Sequence, residues 1–181
     1  MIILDCLLIA DYTFQIMNIK QAKLHSGKLI DDSDLTDAAD IVLRHVKEDP
    51  GYIQSAEHTI EGMREWFGRK HLDALWFAEV GEARVGVIAL RQHSLIGFAI
   101  DPTPDVEVCR LIVAPQARGR KVASALFSAA LKEARDCRPW LTVLYDSQAH
   151  RMYERWGWQS VGRVDSADDP LDYIVAMVSP E

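Results

Sequence analysis

The sequence predicts a mixed α/β (α+β) domain, and three features carry that prediction. Two amphipathic helical segments come first. The apolar period then switches from helical to alternating near Leu75, and one strand–turn–helix–strand crossover spans residues 106–145. No repeat, low-complexity tract or Gly/Ser linker divides the 181 residues, so we read a single domain over 1–181. A chain of this length can bury roughly 70% of its unfolded surface.

Taken in order, residues 1–16 (MIILDCLLIADYTFQI) imitate the apolar stretch of a signal peptide. They lack a leading Lys or Arg, are broken by Asp5 and Asp11, and are too short to span a bilayer. Met17 is an alternative start, which leaves 1–16 as an extension or an extra strand. A first strand is expected within 17–30, in NIKQAKL or around Lys28–Ile30. Ser33 or Asp34 can cap a helix whose apolar face is Leu35, Ala38, Ala39, Val42, Leu43 and Val46, with Pro50-Gly51 to end it. A second helix fits about 55–70, with Ile60, Met63, Trp66 and Phe67 at helical spacing.

Leu75–Val80, the Gly81-Glu82 turn and Arg84–Leu90 read as an antiparallel hairpin. After a loop with Pro102 and Pro104 come a strand at 106–113 and a helix at 121–137. That helix gathers Ala123, Leu126, Phe127, Ala130, Leu131 and Ala134 on one side. Leu141–Tyr145 is the next strand and Gln148–Trp156 a short helix. Strands at 158–164 and 171–178, joined by the acidic turn 165–170, complete the chain.

Apolar residues make up 49% and charged residues 26%, as in an ordinary globular protein. A net charge of −7 argues against a general nucleic-acid binder and favours a cationic over an anionic substrate. Cys6, Cys109 and Cys137 show no paired spacing, which fits a reducing, cytoplasmic setting better than a disulfide framework. The six histidines (25, 45, 58, 71, 93 and 150) follow neither HExxH nor a Cys/His ligand spacing, so no metal is expected.

The chemistry concentrates in the stretch from Glu107 to Cys137. An apolar strand ends at Pro115, the turn Arg118-Gly119-Arg120-Lys121 follows, and a helix starts at once. A helix begins with unpaired N–H groups and a positive dipole end, which together suit phosphate. No Ser, Thr, Asp or Asn lies between Pro115 and Val122, so Gly119 is the expected cap and the amides of Arg120 to Ala123 seek an outside acceptor. Residues 116–138 hold six Lys or Arg against two Asp or Glu, in a protein that is otherwise acidic. The local alternative is a solvated basic bend. Neither a Walker loop nor a GxGxxG fingerprint is present.

The same segment resembles the signature ELxRLxVxPxxRGxGxG-helix of the GCN5-related N-acetyltransferases (GNAT). Glu107, Val108, Arg110, Leu111, Val113, Pro115, Arg118, Gly119 and Arg120 fall in place, and Val122 and Ala123 are close substitutes. Downstream, DSQAHRMYERWGWQSVG resembles that family's NxxAxxLYExxGFxxVG, with Asp146 in place of the usual Asn. The likeness covers about 74–178. It implies a mostly antiparallel sheet of six to seven strands with about four helices and a splay between the fourth and fifth strands. It also implies acetyl-CoA as donor, a primary amine as acceptor, direct transfer in a ternary complex and, as is common in that family, a possible homodimer.

By the same resemblance, the diphosphate lies on the amides of Arg118, Gly119, Arg120, Lys121, Val122 and Ala123. The pantetheine arm follows Leu111, Ile112 and Val113, with Asp146, Ala149 and Tyr153 on its other side. Lys121 replaces a motif glycine but keeps its N–H and adds charge.

Transfer to an ammonium of pKa near 10.4 costs about 4.6 kcal/mol in deprotonation at pH 7, so a base helps. Glu107 holds the family's acidic position; its other reading is a polar strand residue anchoring the fold beside Arg110. Tyr153 matches the tyrosine that protonates the leaving thiolate, against plain packing beside Trp156. A phenol-to-thiolate transfer is uphill by about 2 kcal/mol, so proximity must supply most of the acceleration.

Cys109 reads as core before nucleophile. Trp66, Phe67 and Trp76 either line an acceptor pocket or fill the core. Asp31, Asp32, Asp34, Asp37 and Asp40 read as a capped, solvated helix start. The acceptor site falls to 50–70 and 91–106. A non-catalytic acyl-CoA-binding regulatory module is the competing reading, kept alive by Lys121 and Asp146.

Overall fold

The computed structural model describes residues 17–22 (backbone), 32–48, 53, 56–68, 72–164 and 173–180. Expectations for 1–16, Lys28–Ile30, Asp31, His25, His71, Pro50-Gly51 and the acidic turn 165–170 lie outside the described residues. The elements run β1 (Met17–Ala22), α1 (Asp32–Val46), α2 (Ile60–Gly68), β2 (Ala74–Val80), β3 (Ala83–Gln92), β4 (Val106–Val113), a 3₁₀ turn (Pro115–Ala117), α3 (Val122–Glu133), β5 (Pro139–Leu144), α4 (Gln148–Arg155), β6 (Gln159–Val164) and β7 (Ile174–Val178). They form the expected mixed sheet, seven strands in the order β1-β2-β3-β4-β5-β7-β6. Every neighbouring pair is antiparallel except β4 and β5.

Alternation along the strands builds a three-layer domain. In β2, Leu75 and Phe77 face α1 and α2, where Ala38, Ile41, Val42, Met63 and Phe67 are buried with them. Trp76 and Ala78 face the opposite side and join Leu126, Phe127 and Ala130 of α3. Trp76 therefore does not share a face with Trp66 and Phe67, and all three are core. The helix α3 lies directly on β3. A Cβ built on Gly86 would stand 3.0 Å from both Leu126 Cδ1 and Val122 Cγ1. Gly86→Val is expected to lower stability by about 1–3 kcal/mol through overpacking, read as a drop in the urea midpoint with unchanged slope.

Three local readings change. The helix α2 starts at Ile60, later than the expected 55, because Thr59 Oγ1 accepts the Gly62 N–H at 3.0 Å and so caps the helix there. The helix α3 stops at Glu133, short of 137, with Ala134 as its C-cap. The acids of α1 are not simply solvated. Arg84 of β3 pairs at 2.8 Å with both Asp34 and Asp37, and Arg64 of α2 pairs with Asp32 at 2.9 Å. Asp34 therefore docks the helix onto the hairpin instead of capping it.

Candidate active site

The strands β4 and β5 pair only at Val106 with Pro139 and Glu107 with Trp140, and then diverge. The β5-facing edge of β4 thus has no strand partner beyond Glu107 among the described residues. A bulge accompanies the split. Between Ala89–Cys109 and Val87–Ile112, Ile88 of β3 faces both Arg110 and Leu111 of β4. Arg110 takes up the irregularity at φ 57°. Its guanidinium stacks 3.5 Å from the centre of the Trp66 ring, and Nη2 donates to the Trp66 carbonyl at 2.7 Å. The bulge is therefore tied to α2. Leu111 and Val113 lean toward the α3 core, and Ile112 is buried on the α1/α2 side.

At the wide end of the split, β4 passes through the 3₁₀ turn into α3. Gly119 adopts φ 74° and Lys121 φ 61°, ψ 16°. The helix cap is Lys121 and not Gly119, because the Lys121 carbonyl accepts the first helical bond, from Ala125 N–H at 3.0 Å. No side chain caps this end. Helix geometry then leaves the N–H groups of Val122, Ala123 and Ser124 at its open end. Ser124 is a donor that the sequence reading stopped short of. The helix dipole adds roughly 0.3–1 kcal/mol in favour of an anion there.

The basic side chains divide in role. Arg118 turns back to α1, with Nη2 2.6 Å from His45 Nδ1 and Nη1 3.4 Å from Glu48. A guanidinium only donates, so His45 Nδ1 is the acceptor in this contact. Arg120 and Lys121 are exposed at the turn.

Across the split, β5 ends in a second left-handed residue pattern. Asp146 has φ 56°, and its carboxylate meets Arg151 Nη1 at 2.6 Å. Ser147 Oγ accepts the His150 N–H at 3.0 Å and caps α4. Among the described residues, Arg110, Lys121 and Asp146 are the non-glycine residues with positive φ, and all three border this split. Each such conformation costs on the order of 1–2 kcal/mol, and strain of this kind collects at functional sites.

Glu107 sits at the vertex, 1% exposed, and its Oε2 is held by Arg91 Nε. The two are register partners on β3 and β4, which brings the Arg91 guanidinium to the carboxylate. Tyr153 of α4 is 7% exposed in an aromatic cluster, with ring centres 5.5 Å from Phe127, 5.8 Å from Trp156 and 6.2 Å from Trp158. Ala149 packs against the same core. A groove of about 500 Å³ is lined by Ser124, Leu131, Pro139, Trp156 and Pro180. Cys109 is buried. Burial, then the charges of Asp105 and Asp136, push the Cys137 thiol up, so it should alkylate more slowly at pH 8 than free cysteine, as a mass-spectrometric time course would show.

A parallel pair opens here toward two helix starts, one of them uncapped and basic, an arrangement whose free backbone amides suit an anion. The chain belongs to the acetyltransferase (GNAT) family, whose model matches residues 40–158. No curated protein sequence matches it. Among solved structures it is similar to PH1933 from Pyrococcus horikoshii OT3, at 19% identity and TM-score 0.65, covering 91% of this chain and 99% of that one. It is also similar to histone acetyltransferase HPA2 and related acetyltransferase from Corynebacterium glutamicum, at 18% identity and TM-score 0.65, covering 91% and 97%. NAA60 from Arabidopsis thaliana, solved in complex with acetyl-CoA, matches at 17% identity and TM-score 0.57, covering 90% and 97%. At these identities the likeness is one of fold. Among the described residues, no helix is long and apolar enough to cross a membrane.

Proposed function

We propose that the chain is an acetyl-CoA-dependent N-acetyltransferase that moves the acetyl group to a primary amine by direct transfer in a ternary complex. The observation that carries this is the divergence of β4 and β5 toward the uncapped start of α3, bordered by the strained residues Arg110, Lys121 and Asp146. In this reading the amides from Gly119 through Ser124 bind the diphosphate, and Arg120 and Lys121 add positive charge. Arg118 shapes the turn by bracing it on α1. The backbone of Leu111, Ile112 and Val113 carries the pantetheine arm. Ala149 and the bend at Asp146 form the opposite wall, with the Asp146 carboxylate committed to Arg151.

The ammonium first loses a proton to solvent; the neutral amine nitrogen then attacks the thioester carbon, an N–C bond forms and the C–S bond breaks. As that bond forms, the nitrogen holds its proton less tightly, so a buried carboxylate suffices to accept it. Glu107 takes the proton through water, given its near-complete burial. Tyr153 gives a proton to the departing sulfur. Because that transfer is uphill, Tyr153→Phe is expected to lower kcat by only about 10-fold with coenzyme affinity unchanged. The net charge of −7 favours a small cationic amine as acceptor.

The test is a mass-gain screen of acetyl-CoA against amines, amino acids and peptide N-termini, with thiol release followed in parallel. Transfer to at least one amine supports the reading. Tight coenzyme binding without transfer to any acceptor would instead favour the acyl-CoA-binding module, and no binding would remove both.

A further inference from the structure

Glu107 is held in an arrangement that a merely polar strand residue would not need. It is 1% exposed, while its partner Arg91 keeps a side-chain exposure of 21%. The contact joins register partners on adjacent strands, so both backbones are fixed by the sheet and little freedom remains in the pair. On the other side of Glu107, Trp140 is its β5 register partner, and Trp140 Nε1 is fixed by donating to the His93 carbonyl at 2.6 Å. The His93 ring lies 5.7 Å from the Trp140 ring. The carboxylate thus has a charged partner from β3, and its backbone is paired with a residue whose side chain is locked, at the point where the two strands begin to part.

A carboxylate removed from water costs several kcal/mol unless a counter-charge and hydrogen bonds compensate it. The Arg91 guanidinium supplies both, and its contact with Oε2 restrains that oxygen. We infer that Arg91 is the positioning residue of the transfer reaction, acting through Glu107 by balancing its charge and fixing the direction of its oxygens. This rests on the reading of Glu107 as the proton acceptor.

A double-mutant cycle tests it, with acetyl-CoA and an amine that the wild type turns over. If Arg91 acts through Glu107, Arg91→Ala lowers kcat at least 10-fold in the wild-type background and less than about 2-fold in Glu107→Gln. Coenzyme affinity stays level in both, and Arg91→Lys recovers part of the lost kcat. Equal losses in both backgrounds, or no loss in either, would overturn the inference. Should Arg91→Ala fail to fold, Arg91→Gln takes its place in the same cycle, read against the same thresholds. If Glu107→Gln leaves kcat unchanged, the acceptor reading itself falls and Arg91 loses its role with it. If Glu107→Gln is impaired but the cycle is additive, only the Arg91 inference falls.

Discussion

Glu107→Gln should lower kcat by about 10²- to 10⁴-fold, the range that a positioned proton acceptor contributes, while the dissociation constant for coenzyme A stays within about 2-fold. The substitution keeps the side chain's size but removes its ability to take a proton. It also leaves the Arg91 guanidinium without its carboxylate, and Arg91 is exposed enough to be hydrated. The defect should therefore appear in turnover and not in binding. Steady-state kinetics at saturating acetyl-CoA together with calorimetric titration of coenzyme A would separate the two. A fall in affinity equal to the fall in kcat would mean that Glu107 supports the fold of the vertex and not the chemistry.

Lys121→Glu is the second large effect. Lys121 ends the turn in a left-handed conformation, exposed, directly before the open amides of α3. Reversing its charge beside a diphosphate changes two charge steps at once. With unit charges worth about 1 kcal/mol at 4 Å in water, and more at lower effective dielectric, affinity should fall by about 2–3 kcal/mol, roughly 30- to 150-fold. The loss should shrink in 0.5 M salt, because screening acts on exposed charges. Lys121→Gly separates charge from geometry. It removes one positive charge but relieves a strained φ, so coenzyme affinity should fall about 5- to 10-fold while stability holds or rises by up to about 1 kcal/mol. Titration of coenzyme A at two salt concentrations, with a thermal melt of each variant, reads both quantities.

What the sequence made legible follows from how local the physics is. The β2–β3 hairpin, the strand of Glu107 and the helix after Lys121 are written in short-range periodicity and turn chemistry, and the elements lie within a few residues of their expected places. The family motif rests on the same stretch. The pairing of Arg118 with His45 and Glu48 was not legible, because those partners lie some 70 residues apart and meet only after α1 has docked. The cap moved from Gly119 to Lys121 for a related reason. Composition marks a glycine as the bend, but which carbonyl starts the helix depends on how α3 is seated over Gly86. The bulge at Arg110 needs the β3 register to be seen at all. Glu107 was legible from its place in the motif, but Arg91 lies just past the expected end of its strand at Leu90, and only the antiparallel register brings the two into contact.

The brevity of the β4–β5 junction has a mechanical consequence. With rungs only at Val106–Pro139 and Glu107–Trp140, the seven strands behave as two leaves, β1 to β4 and β5 to β7, joined along a short spine. Few backbone hydrogen bonds cross this spine, so a molecule lodged in the gap would act as mortar between the leaves. Amide hydrogen exchange would register this as slowing concentrated beyond the spine, in Arg110–Val113 and Leu141–Leu144, with the β2–β3 hairpin unaffected.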